Sequence, residues 1–116
     1  PSEVLASDEA AEPSNAVAAR VAAARERQLA RQGQPNAQLD GPVVVNQVKA
    51  ERAALHLLAG AMRQLALSAR AYHRVLRVAR TIADLAGSAT VTTVHVSEAI
   101  MLRQLDRRIA APSISG

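Results

Sequence analysis

The clearest periodicity in the chain lies between Ser68 and Gly87. At the roughly 100° per residue of an α-helix, Val75, Val78, Ala79, Ile82, Ala83 and Leu85 fall on one side. Arg70, His73, Arg74, Arg77, Arg80 and Asp84 fall on the other. Faces that separate this way define an amphipathic helix. Ser68 offers a hydroxyl at its N-cap, and Gly87 can take the left-handed conformation that ends helices. Upstream, Leu55, Leu58, Met62 and Leu65 recur at intervals of three and four. They predict a helix from Glu51 to about Ala66 with those four on its inner face. Downstream, "SATV" (88–91) reads as a short extended link. Thr92 or Thr93 then caps a last helix, "VHVSEAIMLRQL", with Val96, Ile100 and either Met101 or Leu102 inward.

The first half of the chain is less regular. Ser14 caps a predicted helix to about Gln32, with Val17, Val21, Ala24 and Leu29 on or near one side and several arginines between them; Gly33 and Pro35 stop it. Residues 33–42 form a loop. "VVVNQVKA" (43–50) is β-branched enough for a strand. No partner strand is in sight, and Pro42 suits a first helical turn, so the segment reads as a short helix. The expected organisation is an irregular leader over residues 1–13, a helical domain over 14–107 and a flexible tail over 108–116. The fold class is all-α, a small bundle of four to five helices.

Composition supports this reading. The 116 residues suit one domain, and 49% are hydrophobic, enough for a modest core. Tyr72 is the only aromatic, so that core is aliphatic and rich in alanine, the best helix former. The absence of cysteine excludes disulfides and cysteine-bound zinc. No apolar run is long enough to span a membrane and no signal segment opens the chain, so a cytoplasmic protein with no membrane partner is expected. A first residue of Pro rather than Met points to a piece of a longer protein. The formal charge of +4 is uneven: Glu3, Asp8, Glu9 and Glu12 fall in the first dozen residues with no base among them. Lys49 is the only lysine, so every other one of the 14 basic residues is arginine, whose rigid donor fork matches phosphate.

The arginine face has two readings. It can be a solvated surface, partly neutralised by an Arg80–Asp84 pair at i,i+4 worth about 0.3–0.5 kcal/mol. Alternatively, one member can meet an anion. Arg70 stands in the first turn after the cap, where the helix end already favours negative charge. Arg74, Arg77 and Arg80 lie deeper and are candidates only for an interface or a secondary basic surface. The chain has no G-x-x-x-x-G-K-[ST] phosphate loop, no strand ending in magnesium-binding acids and no nucleophile–base–acid constellation in a recognisable context. On its own it is not expected to be an enzyme. His95 and Glu98 are three apart on a predicted helix, but a carboxylate–imidazole site repeats that motif on a second helix. No metal site is expected, and His95 reads as a capping or surface residue.

The runs "LSARAYHRVLRVARTIADLAGS" and "VHVSEAIMLR", with "RVAAARERQLARQGQPNAQL" (20–39) before them, carry a resemblance that extends over about residues 17–107. The sequence resembles the C-terminal domain of the magnesium-chelatase-like AAA+ ATPases, in the branch of the ComM-type competence proteins. That resemblance implies a helical lid following an N-terminal AAA+ core in the same protein, with neighbouring subunits of a homo-hexamer as further partners. ATP and magnesium would be cofactors of the full-length protein and not of the isolated domain. It also implies that Arg70, in "SAR", is the sensor 2 arginine; Arg74, Arg77 and Arg80 do not match that position. An inserted segment before the sensor helix, as in this clade, allows Arg70 to act in cis or at a neighbouring subunit's nucleotide. The competence branch implies DNA branch migration by the whole protein, and the chelatase branch implies metal insertion into a porphyrin. Two rival classes stand beside it. One is a histone-fold-like helical DNA-binding module, which the basic charge fits. The other is an interaction module that packs between subunits without touching nucleotide.

Overall fold

In the computed structural model, which describes the backbone of residues 2–110 and the side chains of residues 14–109, the most amphipathic helix is also the central one. Five helices and one 3-10 turn follow in order: α1 (Ser2–Gln32), the 3-10 turn (Asn36–Gln38), α2 (Gly41–Gln47), α3 (Arg52–Leu65), α4 (Ala69–Leu85) and α5 (Thr93–Ala110). The architecture is an all-α bundle. Helix α4 packs against α1, α2, α5 and the 3-10 turn, and α3 packs against α5.

Both ends of α4 follow from the sequence. Ser68 Oγ accepts the Ala71 N–H at 3.1 Å, filling one of the donors a helix start leaves open. At the other end Gly87 has φ +72°. Its N–H donates to the Asp84 carbonyl at 3.1 Å, and the Ser88 N–H donates to the Ala83 carbonyl at 2.8 Å. This is the paired closure of a Schellman motif. At the start of α5, His95 Nδ1 accepts the Thr92 N–H at 3.0 Å. The acceptor role puts the imidazole proton on Nε2.

The core is a layer of small and medium aliphatics. Val44 and Val48 of the α2 region, Ala54 and Leu58 of α3, Val75, Leu76, Ala79 and Ala83 of α4, Val91 of the link, and Val96 and Ala99 of α5 are all buried. Alanines along α4 let neighbouring helices approach closely while the leucines fill the gaps between them.

Several expectations are corrected. Helix α1 runs back to Ser2, well before the expected Ser14 cap. Residues 2–13, read as an irregular leader, are therefore helical in their backbone, as their alanines and glutamates favour. Of the residues expected on its inner side, only Ala24 is buried; Val17, Val21 and Leu29 are exposed. Every residue from Ser14 to Ala22 is exposed, and the first buried residue of α1 among the described side chains is Ala24. In α3 the buried residues are Ala54 and Leu58, whereas Leu55 and Leu65 are exposed. The inner face keeps Leu58, as expected, and takes in Ala54 in place of Leu55 and Leu65. In α5, Val96 and Ala99 are buried, Ile100 is half-buried, and Met101 and Leu102 face outward. That helix also continues through Ala110 into the expected tail, with Arg107 and Arg108 in the last turn where the helix dipole favours cations. Residues 111–116 of that tail lie outside the described residues.

The ambiguous segment 43–50 resolves as a helix followed by a bridge. Pro42 sits in the first turn of α2 and Val48 closes it. The chain then turns through Lys49 at φ 50°. Ala50 forms a single parallel bridge with Val91, through Glu51 N–H to Val91 O at 2.9 Å and Val91 N–H to Lys49 O at 3.0 Å.

Candidate functional site

The link after α4 is short, and α5 returns along α4. The C-terminal turns of α5 therefore reach the N-terminal turn of α4. Between them lies a groove of about 540 Å³, walled by Arg70 and Arg74 from α4 and by Arg103, Asp106 and Arg107 from α5. Its floor is apolar, made in part by Val75, Val78, Ala99 and Leu102. A second groove of about 510 Å³ shares Arg70 and Arg74 and continues along α4 past Arg77. Arg70 is exposed and Arg74 is exposed. Neither makes a hydrogen bond or ion pair with any described residue. Two guanidiniums with no partner among the described residues, with Arg103 and Arg107 across the groove and the positive end of a 17-residue helix beside them, make this the part of the domain best arranged to receive an anion.

The four arginines of α4 thus divide. Among the described residues, Arg70 and Arg74 have no hydrogen-bond or ion-pair partner. Arg77 is half-buried and donates from Nη1 to the Leu39 carbonyl at 3.1 Å, holding the loop before α2. Arg80 corrects its sequence reading outright: it is 1% exposed and cannot serve as an interface or basic surface. Its Nη1 donates to the carbonyls of Val48 and Ala89, both at 3.0 Å, and its Nη2 donates to Ser88 O at 2.7 Å. Nη2 also lies 3.0 Å from Asp84 Oδ1. The i,i+4 pair expected to be solvated is therefore a buried ion pair, and it ties α4 to α2 and to the link before α5.

Asp84 is the centre of this cluster. Arg31 of α1 forks onto its carboxylate, Nη1 to Oδ1 at 2.9 Å and Nη2 to Oδ2 at 3.1 Å. Asn36 Nδ2 donates to Oδ2 at 2.9 Å and to Thr81 Oγ1 at 3.1 Å. Gln28 Oε1 accepts the Asn36 N–H at 2.9 Å. Burial by itself would raise the Asp84 pKa. Hydrogen bonds from Arg31 and Asn36, with the charges of Arg80 and Arg31, outweigh burial and hold the carboxyl below its ordinary value. Burial pushes the Arg80 pKa down, against the opposing pull of Asp84.

Sequence reasoning singled out Arg70 and its place at the helix start. It missed Arg103 and Arg107, whose approach depends on α5 folding back. It also missed the Arg31–Asn36–Asp84 cluster, whose members are far apart in the chain and carry no local motif. Among the described residues no group of three or more potential ligands could hold a metal ion. His95 is already engaged as a cap. No described helix is long and apolar enough to cross a membrane.

Comparison with known proteins places this architecture. The family described as magnesium chelatase, subunit ChlI C-terminal, matches residues 11–103. The Escherichia coli protein YifB is 46% identical over 96 residues, and the competence protein ComM of Haemophilus influenzae is 38% identical over 96 residues. Each of these alignments covers 83% of this chain but 19% of the relative, so the chain spans about a fifth of their length. No solved structure gives a significant match. The match to the family takes in α2, α3, α4, most of α1 and the first turns of α5 with Arg103, and on that ground the chain belongs to the family of magnesium chelatase C-terminal domains.

Proposed function

We propose that this domain is the helical lid of an AAA+ ATPase of the ComM type and that Arg70 is its sensor 2 arginine, reaching the γ-phosphate of ATP bound to the upstream core. The observation that carries the reading is the state of Arg70. It is exposed, lacks any hydrogen bond or ion pair to a described residue, and sits in the first turn of α4 on a groove rimmed by further arginines. A cation held at a helix N-terminus contributes to phosphoryl transfer by stabilising charge on the transferring group. The chain itself carries no phosphate loop, so ATP and magnesium belong to the core, and the lid adds one contact and the motion that makes or breaks it. In this reading the whole protein is a homo-hexamer working in the cytoplasm. The likeness to a competence protein favours DNA over a porphyrin as its substrate.

The test is Arg70→Ala in the full-length protein. Steady-state ATPase activity should fall on the order of 10²-fold, the scale for losing one charge-stabilising donor. Affinity for ATP should fall while affinity for ADP stays within about twofold, since only ATP offers the γ-phosphate. Unchanged ATPase activity refutes the sensor role and leaves the domain as a packing module.

A further inference from the structure

Helix α1 is joined to α4 mainly at one place. Its residues from Ser14 to Ala22 are exposed, and its buried residues are Ala24 and Gln28. The directional contact is the fork of Arg31 on Asp84, at 2.9 and 3.1 Å. Arg27 reinforces it, donating to the Asp84 carbonyl at 2.8 Å. Arg31 Nη2 also donates to Asn36 Oδ1 at 3.0 Å.

Charge distinguishes Arg31 from Arg80. Asp84 has two guanidinium partners, and Arg80, fully buried and bonded to three carbonyls, already neutralises it. Arg31 is the outer partner: its side chain is 13% exposed against 1% for Asp84. Removing Arg31 leaves a neutral buried pair, whereas removing Arg80 or Asp84 leaves a buried charge mismatched. The Arg31 fork is therefore not needed to balance the interior. Its effect is angular, because a bidentate pair fixes direction as well as distance. From Asp84, α4 runs about 21 Å, fourteen residues at about 1.5 Å each, to Arg70. The core packs along one side of that rod.

We propose that the Arg31–Asp84 fork is the joint that makes α1 and α4 one rigid body, so that displacement of α1 against the upstream core is delivered undamped to Arg70. Arg31 and Asp84 are then positioning residues for the phosphate-facing end. This rests on the reading of Arg70 given above and on α1 being the segment that leads from the rest of the protein into a C-terminal domain. The experiment uses full-length protein with spin labels at Ala22→Cys on α1 and Ala69→Cys on α4, and measures their separation with ADP and with a slowly hydrolysed ATP analogue. The wild-type background should give one narrow distance, the same with both nucleotides. Arg31→Ala should broaden it and lower ATPase activity, by up to the order of 10²-fold that misplacing a group by about 1 Å can cost. Arg31→Lys keeps the charge but loses the fork, and it should behave like Arg31→Ala. A distance that changes with nucleotide in the wild-type background, or wild-type ATPase activity in both Arg31 variants, overturns the proposal. Arg70→Ala run in parallel separates the two claims. If it leaves ATPase activity unchanged, the sensor reading fails, and the distance measurement still decides whether α1 and α4 move together.

Discussion

Asp84→Asn is the sharpest test of how this domain is held together. The side chain keeps its shape, so no cavity opens. What changes is that the one anion among Arg31, Arg80 and Asn36 becomes a neutral amide. The carboxylate now accepts from Arg31 and Arg80 on Oδ1, at 2.9 and 3.0 Å, and from Arg31 and Asn36 on Oδ2. An amide oxygen can serve one of those sites. The amide nitrogen at the other turns N–H groups towards donors and satisfies none of them. Arg80, 1% exposed, is left as a buried cation without a counter-charge. Breaking a buried pair from one side costs about 3–5 kcal/mol, against a total stability of about 5–15 kcal/mol for a domain. Urea titration of the isolated domain, followed by helical circular dichroism because the chain has no Trp, should show this loss as a lowered midpoint at constant slope. The pH dependence carries the same signature. Asp84 is held below its ordinary pKa, so its contribution is complete above the unfolded value of about 3.9 and is lost as pH falls through the folded value. The Asn variant should lack that part of the acid sensitivity. A loss under about 1 kcal/mol, or an acid profile parallel to wild type, would show that the pair is solvated and that the account of the interior is wrong.

Two further outcomes test the packing. Leu58→Ala, at a fully buried position, should cost about 2–5 kcal/mol, while Leu55→Ala, exposed on the same helix, should change stability by under about 0.5 kcal/mol; comparable losses in urea titration would restore the face drawn through the leucines. A Cβ at Gly41 would run into the His73 imidazole, so Gly41→Ala should lower the melting temperature, and His73→Ala in the same chain should recover most of the loss. Failure of that rescue would mean that the backbone around α2 sets the cost.

Helix α4 was legible because its cap, its period and its terminal glycine all act within one segment. Arg70 was legible for the same reason, since its place in the first turn is a local fact. Segment 43–50 was half legible. Its β-branched residues do end in a bridge, but the partner, Val91, lies in a link that no local pattern pairs with it. Arg80 and Asp84 fall on the polar side of the α4 wheel and are buried all the same. A wheel shows which residues share a face; it does not show that α1, more than 50 residues earlier, supplies a guanidinium to that face. The α3 face was misplaced by the same limit, because leucine at a periodic position signals burial only when a neighbour arrives to cover it.

The segment between α4 and α5 would ordinarily be the place where a family tolerates change, since it is short, polar and lies between helices. Here its carbonyls at Ser88 and Ala89 are gripped by Arg80, and Val91 is bridged to Ala50 and fully buried. A residue inserted there would shift the whole of α5 and carry Arg103 away from Arg70. For a domain engineer, the seam at 88–91 is anchored even though Ala89 and Thr90 are exposed, and it is a poor place to graft a tag or a second domain.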